Sequence, residues 1–224
     1  MGDEFAVLFS PPNDPEETIP AVRRLIACSS NCCSDSLVPV PRPYLIEGYA
    51  IVSADCMIAD ADGTMDALKF DVDQQFFLAS LEAAAAVVHG RHSAEDGGKA
   101  ACRHRLILTH RVAGLSRDLR NARALLWNPA GASFEDARYA LGAPDGVLAV
   151  IGGANVFALF LEIGYDSFHL SRANNVRLPS GRRLLPQART DVTLEEILAS
   201  HGLKPGPEQV LDAAAGVTLV NWSS

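Results

Sequence analysis

Apolar positions along this chain recur with two periods, and the change from one to the other is sharpest between residues 146 and 164. Five consecutive apolar residues, 147–151, predict a strand buried on both faces, as in a covered parallel sheet. Gly152 and Gly153 follow, and then Val156, Leu159, Phe160 and Ile163 fall at the i, i+3, i+4, i+7 spacing of a helix that Gly164 closes. A strand, two glycines and a helix make a backbone that an anion can approach, because the free N–H groups and the dipole of a helix N-terminus favour negative charge. The same arrangement also serves as a plain tight turn.

Other segments repeat the alternation. Strands are expected at 49–53, 57–60, 83–89, 106–108, 122–127, 168–172 and 217–222, and helices at 68–81 and 133–141. The 68–81 helix presents Phe70, Phe77, Leu78 and Leu81 on one face, with acids in its first turn. Thr193-Leu194-Glu195-Glu196 has the form of a capping box, opening a short helix that Gly202 ends. Strands and helices alternate throughout, which places the chain in the α/β class with a mixed sheet. Residues 1–43, crowded with prolines, are expected to form an N-terminal extension, and 44–224 the domain proper.

Composition narrows the function classes. At 224 residues, with 48% apolar and 21% charged positions, the chain can bury a full core without staples. Its net charge of -8, with no block of Lys or Arg to offset it, argues against nucleic-acid binding. No apolar run approaches the roughly 18 residues of a membrane helix, and the acidic N-terminus lacks the form of a secretory signal, so a cytoplasmic location is expected. Five cysteines, Cys28, Cys32, Cys33, Cys56 and Cys102, include no CxxC pair, so neither a disulfide framework nor a metal site is expected.

Candidate chemistry gathers at strand ends. The 83–89 strand runs into Gly90-Arg91-His92-Ser93, which offers backbone donors, a guanidinium and a hydroxyl to an anion. Thr109, His110 and Arg111 stand after Leu108, and Gly152-Gly153 after Ile151. In open α/β sheets, ligands bind outside the carboxyl ends of the strands. Asp73 lies on the apolar side of the 68–81 helix, three residues after Phe70 and four before Phe77. A carboxylate there either pairs with a polar ligand group or serves as a surface acid favoured by the helix dipole.

The ordered set Ala50-Ile51, Asp55, Ile58-Ala59, Asp73, Phe77, Gly90-Arg91-His92-Ser93, Leu108-Thr109-His110, Ile151-Gly152-Gly153, Phe157 and Leu170-Ser171 resembles the dihydrofolate reductase-like family. That family includes the reductase domain of the riboflavin-biosynthesis deaminase-reductases. The resemblance spans about residues 44 to 222. It implies a mostly parallel mixed sheet flanked by helices, and NADPH as cofactor. Ile151, Gly152, Gly153, Ala154, Asn155, Val156 and Phe157 would then hold the pyrophosphate. Gly90, Arg91, His92 and Ser93 would form a second phosphate wall, with Thr109, His110 and Arg111 on the adenosine side. Ile51, Ile58 and Ala59 would flank the nicotinamide, while Phe77, Ser171 and Ile51 face substrate and Asp73 acts as the catalytic carboxylate.

The implied activity is hydride transfer to a pteridine or pyrimidine heterocycle, in a substrate range that runs from folates to the riboflavin-pathway ribosylaminopyrimidine. A homodimer is expected. The alternative is an NADPH-binding module without reductase turnover, which Met65-Asp66-Ala67 motivates because dihydrofolate reductases carry Met-Pro-Trp there. No deaminase motif of the His-x-Glu and Pro-Cys-x-x-Cys type occurs in the chain. Arg172, Arg177, Arg182 and Arg183 are the candidates for a substrate phosphate, the alternative being a solvated rim.

Overall fold

The computed structural model describes residues 43–91, 102–188 and 192–224. The 1–43 extension lies almost wholly outside these residues, as do Cys28, Cys32 and Cys33 and the expected site residues His92 and Ser93. The described elements, in chain order, begin with β1 (Tyr44–Ser53), β2 (Met57–Ala59), α1 (Asp71–Ala83), β3 (Ala86–Gly90) and β4 (His104–Leu108). Next come β5 (Leu115–Arg117), β6 (Ala124–Trp127), α2 (Phe134–Leu141), β7 (Gly146–Gly152) and α3 (Ala154–Ile163). The chain closes with β8 (Ser167–Ala173), β9 (Arg182–Arg183), α4 (Leu194–Ser200), β10 (Lys204–Pro205), β11 (Gln209–Asp212) and β12 (Val217–Ser223).

One sheet organises everything, with strand order β10-β12-β8-β1-β7-β3-β4-β6-β5 and β11 paired to β12. The six strands from β8 to β6 run parallel, and the antiparallel members stand at the two margins. This is the mixed, mostly parallel sheet that the alternating pattern predicts. Side-chain alternation divides the residues between two faces. On one face, Ile46, Val52, Val88, Leu148, Val150, Phe168 and Leu170 pack with Phe157, Phe160 and Leu161 of α3 and with α2 and α4. Rings of Trp127, Phe134, Phe160 and Tyr165 meet edge-on or tilted in this core, at centroid distances of 5.2 to 6.4 Å. On the other face, α1 covers Tyr49, Val87 and Ala149 with Leu81, Phe76 and Phe77.

Several boundaries differ from the sequence expectation. β1 begins at Tyr44 rather than Tyr49, because Glu47 and Gly48, which interrupt the apolar pattern, both have places in a strand. Tyr49 donates its hydroxyl hydrogen bond to Glu47, while the Phe168 and Tyr165 rings fill the space beside Gly48. The strand expected at 83–89 starts at Ala86, since α1 continues through good helix-forming alanine to Ala83. Leu78, expected on the buried face of α1, is 50% exposed. The covered stripe of that helix is 73, 76, 77, 80 and 81, and Phe76 takes the place assigned to Leu78 by packing on Tyr49 and His169. Elsewhere local signals hold. Ser133 caps α2 by accepting from the Asp136 N–H, and Thr193 and Glu196 form the expected reciprocal box.

Candidate functional site

The carboxyl ends of β1, β7, β3 and β4 lie side by side, and the expected site residues collect around them. Register pairs Ile51 of β1 with Ser171 of β8, so both side chains point to the α1 face. Asp73, in the first turn of α1, is only 9% exposed and reaches Ser171. Burial pushes the Asp73 carboxyl above its ordinary range, and the hydrogen bond from Ser171 opposes that shift. Phe77 lies one turn further along α1, in the cluster that holds Ile151. Phe70 lies on the other side, packed with Ile51, Met57 and Leu68. Asp73 is thus a buried acid, its pKa raised, set between two apolar clusters. Such a group can donate or accept a proton at a polar ring edge, and the flanking apolar surfaces suit a flat heterocycle.

On the other side of the strand ends, Gly152 has φ 145° and Gly153 has φ 66° with ψ 140°, conformations that a residue with a Cβ rarely adopts. They turn the chain directly into α3. The N–H groups of Val156 and Phe157 both donate to Gly153 O, at 2.8 and 3.1 Å. The amides that open toward a ligand are therefore those of Ala154 and Asn155. Val156 and Phe157 themselves are buried, and Phe157 stacks edge-on against Phe168 in the core. Their side chains pack in the core and hold the helix start.

Gly90 belongs to the same cleft. A Cβ built on Gly90 would stand 3.5 Å from Val156 Cγ2 and 3.7 Å from Gly152 O. The two glycine-bearing turns touch, and β3 register supports this by setting His89 opposite Gly152 and Gly90 opposite Leu108. Arg91 is exposed at the rim, with its N–H donated to Leu108 O at 3.2 Å. Thr109 is buried after β4 and accepts from the Arg111 N–H at 3.2 Å, while His110 and Arg111 are exposed. A glycine-lined cradle with open amides and an arginine at its rim fits the phosphates of a dinucleotide.

Ile58 and Ala59 lie on β2, which Ser53 and Asp55 anchor. Met57 donates its N–H to Ser53 Oγ at 3.0 Å, and Leu178 donates its N–H to Asp55 Oδ1 at the same distance. Met65-Asp66-Ala67, which replaces the aromatic-bearing loop, is exposed, and Lys69 pairs with Asp66 at 2.6 Å. The four candidate arginines separate, Arg177 lying exposed with its charge near Asp55. Arg172 lies on the face opposite Ser171, ion-paired with Glu195 and donating to Cys56 Sγ at 3.3 Å. Strand alternation sets it on the face away from Asp73. Arg182 folds over the turn at Gly63, and Arg183 is exposed beside it. The same opposite face holds a cavity of about 430 Å³ lined by Leu170, Arg172, Glu195, Thr218 and Trp222. It shares no residue with the Asp73 cleft, and its rim of one internally satisfied ion pair gives it no comparable chemistry.

Sequence reasoning missed two polar pairs on the α1 face, Glu47 with His169 and His89 with Arg105, of which His89 is buried. Parity along β1, β3, β4 and β8 carries a signal for both, since each polar residue falls in step with apolar ones that face α1.

Comparison with known proteins bears on the fold. No family model and no curated protein matches the chain. Among solved structures, a riboflavin biosynthesis protein from Shewanella sp. PV-4 superposes with a TM-score of 0.56 at 16% identity, covering 80% of this chain and 98% of that one. A diaminohydroxyphosphoribosylaminopyrimidine deaminase/5-amino-6-(5-phosphoribosylamino)uracil reductase from Thermotoga maritima gives 0.52 at 16%, covering 80% and 56%. Dihydrofolate reductase from Enterococcus faecalis, complexed with NADP(H), gives 0.50 at 12%, covering 80% and 95%. The chain has the dihydrofolate reductase-like fold. Among the described residues no helix is long and apolar enough to cross a membrane, and no three His, Cys, Asp or Glu side chains cluster as metal ligands.

Proposed function

We propose that this protein is an NADPH-dependent reductase of a pteridine or pyrimidine heterocycle. The observation that carries the reading is the position of Asp73: a buried acid beside the buried Ser171, at the same strand ends as the glycine cradle. The amides of Ala154 and Asn155 would receive the pyrophosphate, and Arg91 would recognise the 2′-phosphate from the rim. Ile51, Ile58 and Ala59 would flank the nicotinamide. Bound NADPH would supply the hydride.

The rest of the chemistry belongs to the chain. Asp73 and Ser171 would grip the polar edge of the heterocycle and present its electron-poor carbon to the cofactor side. Because burial favours the protonated carboxyl, Asp73 can hold the proton that must join the pteridine ring nitrogen as the hydride arrives at carbon or, with the ribosylaminopyrimidine, the sugar-ring oxygen as the hydride arrives at C1′. Phe77 and Ile151 would exclude water from the reacting face. Two solved neighbours are named for riboflavin biosynthesis or for a ribosylaminouracil reductase and a third is a dihydrofolate reductase, which supports the range of substrates proposed.

Purified protein should bind NADPH more tightly than NADH. It should then oxidise NADPH with dihydrofolate, dihydrobiopterin or 5-amino-6-(5-phosphoribosylamino)uracil. Failure to bind either nucleotide would overturn the proposal. The exposed Met65-Asp66-Ala67 loop favours one second reading, a module that binds NADPH without turnover. Tight binding with no oxidation by any of the three substrates would select it.

A further inference from the structure

We propose that His89 is a positioning residue for the phosphate-facing turn, held as the neutral Nδ1–H tautomer so that it fixes the Gly90–Arg91 peptide plane. Its bearing on phosphate rests on the cofactor reading above. His89 is the next-to-last residue of β3 and is 2% exposed. Arg105, from the neighbouring strand β4, donates from Nε to His89 Nε2 at 3.1 Å. A guanidinium can only donate, so Nε2 must accept, and the ring proton must sit on Nδ1. Nδ1 lies 2.8 Å from Gly90 O, which can only accept. Both contacts require one tautomer. An imidazolium would set two donors against each other at Nε2.

The consequence falls on a single peptide unit. Gly90 O and the Arg91 N–H belong to one plane. The oxygen is held by His89, and the N–H by Leu108 O at 3.2 Å. That plane therefore cannot rotate without losing both bonds. Its carbonyl, the negative end of the peptide dipole, is kept on the imidazole and away from any anion on the cradle. The β3–β7 ladder slips at the same place, pairing Val88 with Val150 but His89 with Gly152. Ile151 is the extra residue, and bulges of this kind re-aim strand ends beside ligand sites. His89 thus fixes the turn at the point where the two glycine-bearing ends are brought into register.

Nitrogen-15 NMR of the full-length protein at neutral pH tests the tautomer directly. The expected result is a protonated, pyrrole-type Nδ1 and a pyridine-type Nε2. Amide hydrogen exchange tests the consequence. In His89→Leu the Arg91 amide should exchange at least about tenfold faster, and NADPH affinity should fall by a similar factor. His89→Asn, whose side-chain amide can place a donor near the Nδ1 position, should restore both. An Nε2–H tautomer, an imidazolium, or unchanged Arg91 exchange in His89→Leu overturns the proposal. Should His89→Leu fail to fold, the tautomer measurement on the native protein still decides. Absence of NADPH binding by the native protein would count against the cofactor reading alone, since tautomer and exchange are read without nucleotide.

Discussion

The Ser171 side chain of β8 stands against the Asp73 carboxyl of α1, two residues more than ninety positions apart that meet beneath the strand ends. The hydroxyl partly offsets the cost of burying a carboxylate, and so sets how firmly Asp73 holds its proton.

Replacing the acid should separate chemistry from stability. Asp73→Asn is expected to lower turnover by at least about a hundredfold, the range of general acid–base effects, with NADPH affinity unchanged. A buried acid whose native pKa is raised binds protons more tightly folded than unfolded. It therefore costs stability as pH rises from the ordinary carboxylate range through its elevated value. Denaturation at neutral pH should accordingly find Asp73→Asn more stable than the native protein.

Removing the partner moves the titration. Ser171→Ala deletes the interaction that lowers the Asp73 pKa, so the limb of the turnover profile that Asp73 governs should move to higher pH. Comparing kcat against pH for the two proteins gives the shift.

Gly153→Ala probes the cradle. With φ 66° and ψ 140° the position suits glycine, and a Cβ there should cost about 1–3 kcal/mol in urea denaturation. The same methyl group would stand at the opening of α3, so NADPH titration should show weakened binding as well.

Glu47 should govern part of the acid sensitivity. Its carboxyl is held below the usual range, chiefly by a hydrogen bond with His169 and then, against the cost of burial, by Tyr49. The stability it contributes is complete above the ordinary carboxylate pKa and is lost as pH falls through the lowered value. Glu47→Gln should flatten the decline in stability toward acid pH, as read from denaturant midpoints.

The core offers a control. Phe160 is fully buried among Trp127, Phe134 and Tyr165, and Phe160→Ala should cost about 3–5 kcal/mol. Calorimetry should register the loss, while the pH profile of turnover stays in place.

What could be read in advance follows from where the physics is local. β7 and α3 are plain in the sequence because the hydrophobic period changes from continuous to 3.6 across two glycines, and the caps at Ser133 and Thr193 need only neighbouring residues. The start of β1 is hidden because Gly48 makes sense only beside the Phe168 ring, which is contributed by a distant strand. β5, β9, β10 and β11 have two to four residues each and carry no period of their own. At the site, Asp73 was legible from its step with Phe70 and Phe77. The face that Arg172 takes follows only from counting along β8 from Ser171, since a guanidinium by itself gives no sign of which side of a sheet it will occupy. The His89–Arg105 bond depends on β3 and β4 lying together, a pairing no single segment announces.

β1 emerges first among the described strands, yet its two neighbours in the sheet, β7 and β8, are not made until Gly146 and beyond. At about 5–20 residues per second of synthesis, its apolar backbone must wait some seconds on the ribosome for the segments that cover it. Growing chains truncated before residue 173 should remain protease-sensitive and prone to chaperone capture, because the middle of the molecule is the last part to close.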